Sequence, residues 1–220
     1  DDAINIRGLK RMAAAYAGKV PPPECAPSTG KRIAVVGGGP GGLSAAYYLQ
    51  LMGHQTTVFE MLPKLGGMLR YGIPNYRLPK DRLDEDIQAI LETGVQVEFG
   101  KRIGKDITIQ SLRQEYDAVL ISIGASTDKK LGIEGEHAEG VISAVSFLRD
   151  VGEDKSPDLT GQEVAVIGGG NVSMDAVRTA KRLGAKKVSI AYRRRTADMT
   201  ALPAEIEGAV AGGIEVLTLK

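Results

Sequence analysis

Ile33-Ala34-Val35-Val36-Gly37-Gly38-Gly39-Pro40-Gly41-Gly42 reads as a short buried strand that turns through glycines into a helix. The spacing Gly37-x-Gly39-x-x-Gly42 is a dinucleotide-binding fingerprint. Gly37 permits the tight turn, Gly39 lets the backbone approach a pyrophosphate, and Gly42 allows the helix to pack closely on the strand. The exposed N–H groups and the dipole at a helix start near Pro40 supply partial positive charge for that pyrophosphate. Glycine-rich turns also arise for purely structural reasons, so the surrounding chain has to carry the reading.

Working outward, Leu43 to Met52 continues the helix on a small Ala45-Ala46 face, and Gly53 ends it. Gln55 to Glu60 then reads as a second strand closed by an acid, about 20 residues beyond the fingerprint, where a carboxylate meets a ribose. Such a carboxylate accepts from paired ribose hydroxyls and repels a 2′-phosphate. A solvated strand-end glutamate is the alternative. The segment Leu65 to Lys80 is too irregular for a helix or strand and too apolar for a plain surface loop, so it is expected to hold something. Asp81 to Glu92 predicts an amphipathic helix, Val95 to Phe99 a strand, Ile103 to Ile109 an alternating polar–apolar piece, and Tyr116 to Ala125 another buried strand.

The opening pattern then returns. Glu163-Val164-Ala165-Val166-Ile167-Gly168-Gly169-Gly170-Asn171-Val172-Ser173 repeats strand, turn and helix start, with the small Ser173 at the third fingerprint position. Ser126 to Gly161, polar apart from a helical stretch near Ala144 to Arg149, reads as the crossing between two units. In the second copy the helix runs to about Leu183, and a strand follows over Lys187 to Ala191. That strand ends not on an acid but on Tyr192-Arg193-Arg194-Arg195. Guanidinium groups there can grip a ribose 2′-phosphate through charge-assisted, often bidentate hydrogen bonds. A solvated basic turn is the alternative.

The remaining features set bounds. The 220 residues carry 28 Lys and Arg against 27 Asp and Glu, a net charge of +1, which gives no global field for nucleic acid or an anionic membrane. No stretch approaches the roughly 20 apolar residues of a membrane span, and no charged-then-apolar leader precedes the first unit, an expectation of cytoplasmic residence. Residues 1–20 predict an amphipathic helix, and the proline-rich link 21–30 a stiff spacer outside the first core. The single cysteine, Cys25, forbids an internal disulfide. His54 reads as a surface residue at a helix end and His137 as part of a polar loop, so no metal site is expected. The fold class is α/β with two Rossmann-like units, and the domain limits are 1–30 (helix and connector), 31–127 and 128–220.

Two fingerprints, the loop at 65–80 and the basic turn at 192–195 resemble the flavin- and pyridine-nucleotide-binding part of the glutamate synthase small subunit. The flavin module of dihydropyrimidine dehydrogenase and the large subunit of NADH-dependent ferredoxin:NADP oxidoreductase are related. The most specific pieces are Gly66-Gly67-Met68-Leu69-Arg70-Tyr71-Gly72-Ile73-Pro74, Gly168-Gly169-Gly170-Asn171 with Asp175, and Tyr192-Arg193-Arg194. The resemblance implies glutathione-reductase-type FAD- and NAD(P)-binding domains, 31–127 and 128–220. Gly37, Gly39, Pro40, Gly41 and Gly42 would hold the FAD pyrophosphate and Glu60 its ribose. Gly67, Met68 and Arg77 would lie along the flavin, Ile103 would meet the adenine through its backbone, and Gly124 would mark the hand-over between domains. Gly168, Gly169, Gly170, Asn171 and Val172 would face the NADPH pyrophosphate, with Arg193 and Arg194 on its 2′-phosphate. Relatives often carry an arginine near position 200, where this chain has Thr200.

The family closes its FAD site with a C-terminal Gly-Asp segment and carries an iron–sulfur region upstream. Neither is present here, so the chain is expected to be an internal piece of a longer protein, with the second unit and the closing part of the first truncated. The implied activity is hydride transfer between NADPH and FAD, with electrons passed to iron–sulfur clusters or a partner subunit. The cofactors carry that chemistry, so no catalytic side chain is nominated. A redox-disulfide mechanism, as in thioredoxin reductase, needs two cysteines and is excluded within this chain. The competing expectations are a non-catalytic nucleotide-binding or docking module of a larger redox complex, and a first site that takes NAD rather than FAD. The insertion at 65–80 argues against NAD, because a simple NAD domain has no use for it.

Overall fold

The structure is a computed structural model that describes residues 3–18 and 20–219. Of the helix expected over 1–20, residues 1, 2 and 19 lie outside the described residues, as does Lys220. Helix α1 (Ile6–Tyr16) is capped by Asn5, whose side-chain oxygen accepts from the Gly8 N–H at 2.9 Å. None of its residues is buried. The link behind it is less free than its prolines suggest. Ala26 N–H donates to Leu51 O (2.8 Å) and Thr29 N–H to Gly53 O (3.0 Å), while Thr29 Oγ1 meets His54 Nδ1 at 2.7 Å. Residues 26–29 stay exposed, outside the core, yet their backbone groups find partners at the end of the fingerprint helix.

The first unit comprises β1 (Arg32–Val36), α2 (Pro40–Leu51), β2 (Gln55–Glu60), α3 (Met68–Tyr71), α4 (Lys80–Leu91), β3 (Gln96–Phe99), α5 (Ile109–Glu115) and β4 (Ala118–Ile121). Its parallel sheet has the order β3-β2-β1-β4, with Val35 opposite both Val58 and Leu120. Because β1 is central, both of its faces are covered and its residues read as a continuous apolar run. Alternation sends Val35 into a core with Leu43, Ala46, Val58 and Leu83, and Ala34 and Val36 into one with Phe59 and Leu112.

The second unit contains α6 (Ala144–Gly152), β5 (Glu163–Ile167), α7 (Asn171–Arg182), β6 (Lys187–Tyr192), α8 (Pro203–Ala211) and β7 (Glu215–Thr218). Its parallel sheet has the order β5-β6-β7. Phe147 and Leu148 of α6 join Met174, Val177, Val188, Ile190 and Ala209 in one core, so α6 packs with the second unit. Its Gly152 end lies against Arg70 O and Tyr71 of α3. Among the described residues no helix is long and apolar enough to cross a membrane.

Three expectations need correction. The strand expected buried over 116–125 is only Ala118–Ile121, at the edge of its sheet, where Ile121 is 59% and Ile123 70% exposed. Among the described residues no strand pairs beyond it, so Val119 packs on the Phe59 and Leu112 cluster while Leu120 and Ile121 stay exposed. The alternation at 103–109 yields one isolated bridge, Ile103 to Ile107, rather than a strand. Thr108 then caps α5, its Oγ1 accepting from Ser111 N–H at 3.0 Å. Finally, the loop at 65–80 includes one helical turn, α3.

Candidate functional site

Both glycine turns sit between a parallel strand and the helix that follows it. Gly37 has φ +108°, a conformation open to glycine, and a Cβ there would run into Ser122 O at the end of β4. A Cβ at Gly42 would overlap Gly37 O, so this glycine lets α2 seat on its own strand. Gly39 differs. A Cβ there would meet nothing nearer than Gly67 Cα at 3.7 Å, an ordinary contact. The chain's own packing does not demand glycine at 39, whereas a pyrophosphate laid on the turn would. Gly170 repeats this in the second unit, its nearest neighbour being Thr200 Oγ1 at 3.6 Å. Neither helix receives a side-chain cap at Gly39 or Gly170, which leaves first-turn N–H groups available to an anion. Gly41 and Val172 fall in those first turns, and Pro40 at N1 gives up no donor there.

Glu60 closes β2 and is 6% exposed. Its Oε2 accepts from Gly38 N–H at 2.7 Å and its Oε1 from Leu62 N–H at 2.8 Å. The carboxylate therefore pins the glycine turn while each oxygen keeps acceptor capacity for a ribose hydroxyl. Lys101 N–H donates to Glu60 O (3.0 Å), which ties the chain leading to Ile103 to the end of β2, and Ile103 packs with Phe59 and Leu112. Gly67 lies on the turn from above, since a Cβ there would stand 2.7 Å from Gly39 Cα, and Gly66 N–H donates to Gly38 O at 2.8 Å. Met68 begins α3 next to it. Gly124, with φ +65°, has open space around it just past β4. The structure thus brings together Gly37, Gly39, Glu60 and Gly67, residues far apart in sequence.

Arg70 and Lys80 hold the loop from beneath. The buried Arg70 donates through Nε to Leu65 O (2.5 Å) and pairs with Asp84. Lys80 Nζ donates to Leu69 O (2.8 Å) and Ile73 O (2.5 Å). Burial, with the nearby Arg70 charge, lowers the Lys80 pKa to about 8. Arg77, expected along a flavin, reaches carboxylates of the second unit. Its Nη1 is 2.7 Å from Asp175 Oδ2 and its Nε 3.7 Å from Glu205 Oε1. A carboxylate as buried as Asp175 needs a countercharge, and Arg77 supplies it.

At the second turn Asn171 Oδ1 accepts from Leu202 N–H (3.1 Å) and Gly169 O from Ala201 N–H (3.0 Å). These bonds, with Tyr192 OH donating to Asp198 O (2.8 Å), fold the 193–202 segment over the glycines. The three arginines are not equivalent. Arg195 forms a two-pronged pair with Asp198, both contacts at 3.1 Å, and this holds the Asp198 carboxyl below its usual range. Arg193 and Arg194 are exposed and, among the described residues, make no ion pair or side-chain hydrogen bond.

Sequence reasoning missed Ser122, whose Oγ would be 2.8 Å from a Cβ on Gly41, at the start of α2. A serine immediately after a strand carries no local signal of that approach. It also gave Tyr76 and Asp175 no partners, since their meeting depends on how the two units pack.

Residues 31–216 match the pyridine nucleotide-disulphide oxidoreductase family. The chain is 42% identical to the NADP(+)-dependent formate dehydrogenase subunit beta of Moorella thermoacetica, over 97% of this chain and 34% of that protein. It is 41% identical to the NADPH-Fe(3+) oxidoreductase subunit beta of Geobacter sulfurreducens, over 97% and 33%. Against the glutamate synthase (NADPH) small chain of Escherichia coli the identity is 34%, over 85% and 42%. The chain thus spans about a third of the length of the first two relatives. Among solved structures, FprA of Mycobacterium tuberculosis in complex with NADPH superposes with a TM-score of 0.69 at 26% identity, covering 84% of this chain and 47% of FprA.

Proposed function

Because the chain belongs to the pyridine nucleotide-disulphide oxidoreductase family, we propose that it binds FAD at the first glycine turn and NADPH at the second, as the hydride-transferring part of a larger NADPH oxidoreductase. The observation that carries this reading is the contrast between the two strand ends. Glu60 is buried and tied to its turn, while Arg193 and Arg194 are exposed and make no ion pair among the described residues.

The flavin and nicotinamide supply the redox chemistry when bound. The chain's share is to bind and orient them. The α2 turn and Gly67 receive the FAD pyrophosphate, and Glu60 accepts from the ribose of its adenosine. The α7 turn with Asn171 and Val172 receives the NADPH pyrophosphate, and Arg193 and Arg194 select the 2′-phosphate. No side chain has to act as acid or base for the hydride step. With one cysteine in its sequence, the chain offers neither a redox disulfide nor ligands for a cluster of its own. In keeping with relatives that are subunits of larger oxidoreductases, the electron acceptor is assigned to iron–sulfur clusters in other domains or a partner subunit.

The test is to isolate the protein, record its visible spectrum and identify any released flavin. Oxidised-flavin bands and FAD on denaturation support the reading. A colourless protein that cannot be reconstituted with FAD refutes it and leaves a non-catalytic nucleotide-binding or docking module.

A further inference from the structure

The segment 66–78 touches both glycine units. At one end Gly66 and Gly67 lie on the first turn. Its middle is stiffened by Lys80 holding two of its carbonyls, and Arg77 and Leu78 N–H groups both donate to Pro74 O, at 3.0 and 3.1 Å. At the other end Tyr76 and Arg77 engage the second unit. Arg77 pairs with Asp175, and Tyr76 OH lies 3.4 Å from the other Asp175 oxygen. The guanidinium carbons of Arg178 and Arg182 lie 4.9 and 3.8 Å from the centre of the Tyr76 ring. Arg178 Nη1 is in turn 2.5 Å from Glu205 Oε2, and Glu205 is also within reach of Arg77 Nε. Asp175, Arg178 and Arg182 all belong to α7, the helix that the second glycine turn starts. Glu205 belongs to α8, which follows the segment carrying Arg193 and Arg194.

This arrangement is costly unless it has a use. Asp175 is 4% exposed, and its burial outweighs the attraction of Arg77 enough to raise its pKa. An apolar residue at 175 would join the α7 core without that cost. A pair of fixed length and direction does what an apolar contact does not, since it sets one registry between the parts it joins. Resting on the two-site reading above, we propose that Arg77 is a positioning residue. With Tyr76 it locks α7 to the flavin-side loop, so that the nicotinamide carried by the α7 turn meets the flavin carried by the Gly39 turn at reacting distance. Small errors in such a distance cost rate heavily, because a near-attack geometry has to be held.

The experiment uses FAD-loaded holoprotein and Arg77→Ala, Arg77→Lys and Glu205→Gln variants, the last guarding against a misfolded Arg77→Ala. Two readouts are taken: amide hydrogen exchange across 73–80 and α7, and the rate of flavin reduction at saturating NADPH alongside NADPH affinity. The expected result for Arg77→Ala is faster exchange in both segments. The saturating rate falls at least tenfold while affinity changes less than threefold, with part of the rate restored in Arg77→Lys. Glu205→Gln should show the same pattern more weakly. Unchanged exchange overturns the lock. Faster exchange with an unchanged saturating rate overturns the positioning role. If NADPH fails to reduce even the unaltered protein, the functional reading falls and hydrogen exchange still decides the lock.

Discussion

Replacing Arg193 and Arg194 together by alanine removes the two cations of the 193–195 turn that make no ion pair among the described residues, and leaves Arg195 in its pair with Asp198. A hydrogen bond to a charged group contributes about 1.5–3 kcal/mol. Both arginines are exposed, so solvent and salt screening brings each contribution down to about 1–2 kcal/mol. The sum is a loss of roughly 2–4 kcal/mol in NADPH binding, or about 30- to 700-fold in Kd at 1.4 kcal/mol per tenfold. NADH lacks the 2′-phosphate, and its affinity should move less than about twofold on the same reasoning. Arg195→Ala is the internal control, with an expected change in NADPH affinity below about threefold because its charge is already satisfied. Isothermal titration of each variant with both nucleotides supplies the values, and raising the salt should shrink the NADPH difference. Equal losses for NADPH and NADH, or an Arg195→Ala effect as large as the double variant's, would refute the assignment of the clamp.

Three further outcomes follow from the geometry. Gly39→Ala and Gly170→Ala should change thermal stability by less than about 1 kcal/mol while weakening FAD and NADPH respectively by more than tenfold; Gly42→Ala should destabilise the apoprotein itself, because its Cβ overlaps Gly37 O. Glu60→Gln should lower stability by about 1–3 kcal/mol, since an amide at 60 can satisfy only one of the Gly38 and Leu62 N–H groups through its oxygen; a melting curve that does not shift would contradict that. The Lys80 ammonium is disfavoured in the folded state, with its pKa lowered from the ordinary 10.5 to about 8. The unfolded chain therefore holds the extra proton between those values, and stability rises with pH across about 8 to 10.5. Comparing the pH dependence of Tm in the unaltered protein and Lys80→Met should show that rise only in the former, and parallel curves would remove the assigned cause.

Both glycine turns, the strands before and after them, and the acid-versus-arginine contrast were legible in the sequence because each rests on local spacing. A fingerprint glycine, a strand end and a helix start all lie within one βαβ unit, where periodicity and turn chemistry act over short range. The misses have physical reasons of another kind. The strand ending at Ile121 reads as buried from its residues, yet burial depends on a neighbouring strand that local sequence does not specify. The helix Ile109–Glu115 hides in a polar stretch whose cap, Thr108, precedes only two apolar residues, Ile109 and Leu112. The commitment of Arg77 to Asp175 was illegible because it joins residues of two units, and nothing at either position announces the other. The inequality of the three consecutive arginines was also hidden. Asp198 singles out Arg195 through a single 3-10 turn at Thr196–Asp198, which pattern reading did not anticipate.

The two-site account is tested most directly by mixing FAD-loaded protein with limiting nucleotide in the absence of oxygen and following the flavin bands. It predicts that NADPH bleaches the oxidised flavin while NADH at the same concentration leaves it largely oxidised. A flavin that neither nucleotide bleaches, or that both bleach equally, would contradict it.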